Sequence, residues 1–109
     1  NGVVESSLYP YTNRDDTCYD TSLDKVFSTS GYVDVTYNSY SAFNAAIRNG
    51  PVGVAFAVGN AFYSYSSGLF TGGCAADINH GMVAVGYGLT DANDEYAIIR
   101  NSWGTSWGE

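Results

Sequence analysis

Apolar positions gather late in the chain and change their spacing as they do. Tyr40, Phe43, Ala46 and Ile47 recur at three- and four-residue intervals, the period of one helix face. Asn38 or Ser39 can cap that segment, and Asn49-Gly50-Pro51 supplies a stop that cannot continue it, so a helix is predicted near residues 39–49. Val52-Gly53-Val54-Ala55-Phe56-Ala57-Val58 is almost unbroken apolar and β-branched at three positions, which predicts a short buried strand. A helical turn is expected around Asn60–Tyr65. Further on, Gly81–Gly88 and Glu95–Asn101 are two strand-like runs joined by the polar stretch Leu89–Asp94, the pattern of a long antiparallel hairpin. Weaker strand signals fall at Tyr32, Val33 and Val35 after Gly31, and at Leu69-Phe70 between glycine-rich turns. Residues 1–22 carry little periodicity, and no internal repeat, low-complexity tract or linker interrupts the chain.

Composition narrows this picture. With 109 residues the chain suffices for one small domain, and an apolar fraction of 45% excludes disorder. Ten Tyr and 13 Gly favour a β-rich, turn-rich domain. Four Lys+Arg against 11 Asp+Glu leave a net charge of -7, which repels phosphate backbones and anionic headgroups; nucleic acid and membrane are not expected partners. No apolar run approaches the roughly 20 residues that span a bilayer. The start at Asn1 lacks an initiator Met and a signal pattern, and Glu109 closes the chain within a Gly/Trp motif, so a partial domain is expected. Cys18 and Cys74 could form one disulfide, remain two thiols, or bridge to segments outside this sequence.

The chemistry gathers on the last hairpin. His80, the chain's single histidine, precedes one strand and Asn101 closes the other, so antiparallel pairing brings the two together. Alternation puts Ala97, Ile99 and Asn101 on one face and His80 with Met82 and Ala84 on one face of the partner strand. An imidazole hydrogen-bonded to a neutral amide oxygen has its ring and tautomer held without added negative charge. That arrangement suits a thiol nucleophile, whose thiolate already balances the imidazolium. Competing readings are weaker. Cys74, Asp77 and His80 lack a fourth ligand for zinc, and Asp91, Asn93 and Glu95 lack the glycine a calcium loop needs, because Tyr96 stands there. Trp103 and Trp107 are spaced for a helix face, but the intervening glycine argues against one.

Asn79-His80-Gly81 followed by Val83-Ala84-Val85-Gly86-Tyr87-Gly88, and then Arg100-Asn101-Ser102-Trp103-Gly104-Thr105-Ser106-Trp107-Gly108-Glu109, resembles the papain-like cysteine peptidases, closest to the papain and cathepsin L branch. Tyr9-Pro10-Tyr11, Asn49-Gly50-Pro51-Val52 and Tyr65-Ser66-Ser67-Gly68 extend the resemblance over essentially the whole chain. It implies an α+β fold, the right-hand domain of that family, with an antiparallel barrel-like sheet and one main helix near residues 39–49. The helical half and the final strands would lie outside residues 1–109.

The resemblance also implies roles. His80 would pair with the nucleophilic thiolate and protonate the leaving amine, Asn101 would orient it, and Trp103 would shield their contact from water. Trp103 and Trp107 would line the leaving-group side of the cleft. Ala55, Ile78, Asn79 and Gly81 would border substrate, with Ala55 and Gly81 as small walls. Position 79 is Asn where many relatives have Asp, which removes a charge beside the imidazole. Cys18 and Cys74 match cysteines that bridge to segments outside this sequence, so they are expected not to bond to each other, and neither is the nucleophile. No cofactor or metal is expected. Expected partners are a peptide or protein substrate, a propeptide, and inhibitors of the cystatin type, on a lysosomal, vacuolar or secreted route. By itself the chain should lack peptidase activity. Two rival expectations are a catalytically dead homologue acting as a binding protein, and a carbohydrate-binding module whose Tyr32, Tyr37, Tyr63 and Tyr65 form an exposed cluster.

Overall fold

The computed structural model describes residues 2–109. The chain divides into two compact units, Asn1–Asp34 and Val35–Glu109. In the first, β1 (Gly2–Val3) pairs antiparallel with β2 (Phe27–Ser28), and a 3-10 turn spans Asp20–Ser22. A Cβ at Gly2 would meet the Phe27 carbonyl oxygen at 2.8 Å, so the pairing needs glycine there.

The second unit carries the predicted elements. Helix α1 (Tyr40–Ile47) begins at Ser39, whose extended backbone leaves Oγ to accept from the Ala42 N–H at 3.2 Å. It ends where the Gly50 N–H reaches the Ile47 carbonyl at 3.2 Å, with Gly50 at φ +147° and Pro51 beyond. Strand β3 (Val52–Phe56) follows, then α2 (Asn60–Tyr63), β4 (His80–Leu89) and β5 (Glu95–Arg100). The three strands form one antiparallel sheet in the order β3-β4-β5, open rather than closed into a barrel.

Two strand expectations are corrected. Tyr32, Val33 and Val35 form no strand, and Val33 is 93% exposed: β-branched residues favour a pleated surface only where something packs against it. Leu69-Phe70 is also irregular; Phe70 instead turns its ring onto Phe62, with centroids 5.1 Å apart. A register shift between Ala84 and Gly86 modifies the alternation on the hairpin. Ile99 is half-buried opposite the fully buried Ala84, whereas Ala97 is exposed opposite Tyr87, beyond the shift.

The core lies on one face of this sheet. Val58, Phe62 and Met82 are buried, and Val54, Phe56, Phe70, Ile99, Trp103 and Trp107 pack around them. Phe62 touches five other aromatic rings and anchors α2 in this cluster. The opposite face leaves Ala55, Gly81, Val83, Val85 and Ile98 exposed.

Candidate active site

His80 opens β4 opposite Phe56, the last residue of β3. Asn79, one position earlier, extends that pairing beyond the strand end. Its backbone N–H donates to the Phe56 carbonyl at 3.1 Å, and its side-chain amide grips both backbone groups of Val58. The Val58 N–H donates to Asn79 Oδ1 at 2.8 Å, and Asn79 Nδ2 donates to the Val58 carbonyl at 3.1 Å. An amide can serve both directions at once because it carries a donor and an acceptor.

On the other strand, the register Val83↔Arg100 delivers Asn101 beside the start of β4. His80 Nε2 and Asn101 Oδ1 lie 2.8 Å apart, and the Ser102 N–H donates to the same Oδ1 at 2.7 Å. The backbone N–H can only donate, so the amide oxygen, not the nitrogen, must face this side. That oxygen in turn can only accept, which places the neutral imidazole's proton on Nε2 and leaves the lone pair on Nδ1. Asn101 Nδ2 is buried and finds no acceptor among the described residues.

Aromatic rings wall the pair. Trp103 lies with its ring centroid 5.1 Å from that of His80, tilted by 30°. It meets Trp107 edge to face at 5.1 Å and Tyr63 face to face at 5.1 Å. The segment carrying both tryptophans is no helix. Gly104 and Gly108 adopt φ +83° and +78°, turning it back toward α2. There Trp107 Nε1–H donates to the Phe62 carbonyl at 3.0 Å, the Gly108 N–H to the Tyr65 carbonyl at 3.2 Å, and the Gly68 N–H to Glu109 Oε2 at 3.0 Å.

The remaining residues singled out from sequence fall nearby or apart as follows. Ala55 and Gly81 are cross-strand partners and both are exposed, one residue from the His80–Phe56 pair. Ile78 is 69% exposed and precedes Asn79 in the chain. A shallow depression of about 410 Å³ lies against Gly81, Val83, Val85, Arg100 and Asn101. Cys18 and Cys74 are exposed and neither forms a disulfide here. No group of three or more His, Cys, Asp or Glu side chains is placed to hold a metal among the described residues. No helix among them is long and apolar enough to cross a membrane.

The tyrosines of the carbohydrate reading are not buried: Tyr32, Tyr37 and Tyr63 are exposed and Tyr65 is half-buried. Tyr63 and Tyr65 are engaged elsewhere, Tyr63 on Trp103 and Tyr65 on Phe62, Phe70 and Trp107. Sequence reasoning missed two features of the site. The Ser102 N–H has no sequence signature, since every non-proline residue carries one. The stacking of Tyr63 on Trp103 was signalled only by the Phe62-Tyr63 pair, whose first ring is apolar enough to bury and so sends the second outward.

The chain matches the papain family cysteine protease over residues 1–109. It is 44% identical over 110 residues to vignain of Vigna mungo, covering 99% of this chain and 30% of that protein. It is 42% identical over 111 residues to the KDEL-tailed cysteine endopeptidase CEP2 of Arabidopsis thaliana, covering 99% of this chain and 30% of that one. Its structure superposes on the bromelain protease of Ananas comosus, solved in complex with the E64 inhibitor, with a TM-score of 0.82 and 35% identity, covering 99% of this chain and 50% of the other. The chain thus spans about a third of the length of these curated relatives. The sequence match spans residues 1–109 and the superposition covers 99% of the chain, and the chain belongs to the papain family of cysteine proteases.

Proposed function

We propose that this chain forms the β-rich part of a cysteine-type endopeptidase and supplies its base and orienting residue, His80 and Asn101. The observation that carries the reading is the 2.8 Å contact between His80 Nε2 and Asn101 Oδ1, with the oxygen held by the Ser102 N–H. It leaves Nδ1 to take the proton of a thiol contributed by the remainder of a longer protein. The thiolate attacks the peptide carbonyl, and the proton on Nδ1 passes to the leaving amine as the C–N bond breaks. Water then cleaves the thioester, giving one proton to Nδ1 and returning it to the thiol. Through both steps Asn101 holds the ring as base and acid in turn, and Trp103 keeps water from competing for their hydrogen bond.

The substrate is a peptide or protein chain. Ala55 and Gly81, with Ile78 at their border, offer small walls on the acyl side, which suits a bulky apolar side chain. Val83 and Val85, exposed beside the site, suit coverage by the nucleophile-bearing remainder. A propeptide and inhibitors of the cystatin type are the expected protein partners, and the route is an oxidising one, vacuolar, lysosomal or secreted.

The test uses the full-length protein and an irreversible thiol-directed epoxide. Stoichiometric labelling that is lost on His80→Ala is expected. Labelling undiminished by that substitution contradicts the role of His80, and no labelling of the unsubstituted protein favours a homologue that binds without cleaving.

A further inference from the structure

Helix α1 runs out into a dipeptide whose chemistry the catalytic reading leaves unused. Asn49 is exposed just past the helix, and among the described residues it is the one asparagine followed by a glycine. Gly50 has φ +147°, and a Cβ built there would meet nothing within 4 Å. Its backbone nitrogen therefore has open space around it and no side chain of its own to shield it. Two hydrogen bonds hold the pair at rest. Asn49 Nδ2 donates to the Ala45 carbonyl at 3.1 Å, and the Gly50 N–H donates to the Ile47 carbonyl at 3.2 Å. Both acceptors lie in the last turn of the helix, where opening costs least.

We infer that Asn49 is a site of spontaneous modification, deamidation through a cyclic imide, with water as the only co-reactant. The Gly50 nitrogen gives its proton to hydroxide and attacks Asn49 Cγ. The Cγ–Nδ2 bond breaks and that nitrogen leaves as ammonia. Water then opens the ring at either carbonyl and leaves aspartate or isoaspartate at position 49. One water is consumed for each ammonia released, and nothing is oxidised or reduced. The product works against the fold. A carboxylate cannot donate to the Ala45 carbonyl, and it sets a negative charge at the negative end of the helix dipole. Isoaspartate also lengthens the backbone just ahead of β3, whose last residue pairs with His80. This chemistry asks nothing of His80, so it stands apart from the catalytic reading.

The test ages the full-length protein at mildly alkaline pH, treated with the thiol-directed epoxide to prevent self-digestion. Peptide mapping by mass spectrometry follows amide loss at each asparagine, and an isoaspartyl methyltransferase reports the rearranged form. Asn93 is the internal reference. It is also exposed and its following N–H is also tied, Asp94 N–H to Thr90 Oγ1 at 3.0 Å, but that following residue carries a Cβ. Asn49 is expected to lose its amide about tenfold faster than Asn93, the scale on which relief from one Cβ lowers a barrier. In Asn49→Gln, where the five-membered ring cannot form, isoaspartate at position 49 is expected to vanish. An amide at Asn49 that lasts as long as the one at Asn93 overturns the proposal, as does an isoaspartate signal undiminished in Asn49→Gln.

Discussion

Asn101 Oδ1 accepts two hydrogen bonds, from the Ser102 N–H and from His80 Nε2, and the first decides the second. Removing the amide frees the ring to turn and leaves the backbone N–H without its acceptor. In the full-length protein Asn101→Ala should lower kcat for peptide hydrolysis by about a hundredfold, the cost of a base displaced by an ångström or so, with little change in KM. Steady-state kinetics at saturating substrate check this. Asn79 works on the backbone instead. Asn79→Ala strips the partners from both polar groups of the buried Val58 and should destabilise by about 1–3 kcal/mol, read as a lower unfolding midpoint. The meeting of His80 and Asn101 was readable in sequence because a hairpin constrains which ends approach. The amide's orientation and the clamp on Val58 were not, since both depend on backbone groups that every residue shares.

Among the elements, α1 and the β4–β5 hairpin could be read because their periods are long and their boundaries carry chemical signals. Ser39 is one: Ser39→Ala removes the acceptor for the Ala42 N–H and should cost about 1 kcal/mol, measured by denaturant unfolding. Gly59→Ala, by contrast, forces the start of α2 away from the Gly73 carbonyl and should cost about 1–3 kcal/mol, with the largest local loss of amide protection around Phe62. The strand signals at Tyr32–Val35 and Leu69-Phe70 misled because propensity reports what a residue would do on a sheet, not whether a sheet reaches it. The irregularity between Ala84 and Gly86 was hidden for a related reason. An apolar run bounded by Gly81 and Gly86 reads alike with or without one extra unpaired residue.

For the molecule as a whole, the sheet divides the labour. One face buries Met82 and Ala84 and holds His80 through its neighbours, and the other leaves Val83 and Val85, 38% and 48% exposed, beside the site. If the nucleophile-bearing remainder of the longer protein covers that second face, Val85→Asp should destabilise the full-length protein by about 1–3 kcal/mol, and an unchanged unfolding midpoint would mean that the face stays in water. The central claim is narrower: His80 and Asn101 act as one unit. The most direct measurement is kcat/KM for peptide hydrolysis by the full-length protein carrying His80→Ala, Asn101→Ala and both together. If Asn101 acts only by orienting His80, the double variant is no slower than His80→Ala alone. Losses that multiply would contradict the account, because they would show each side chain acting independently of the other.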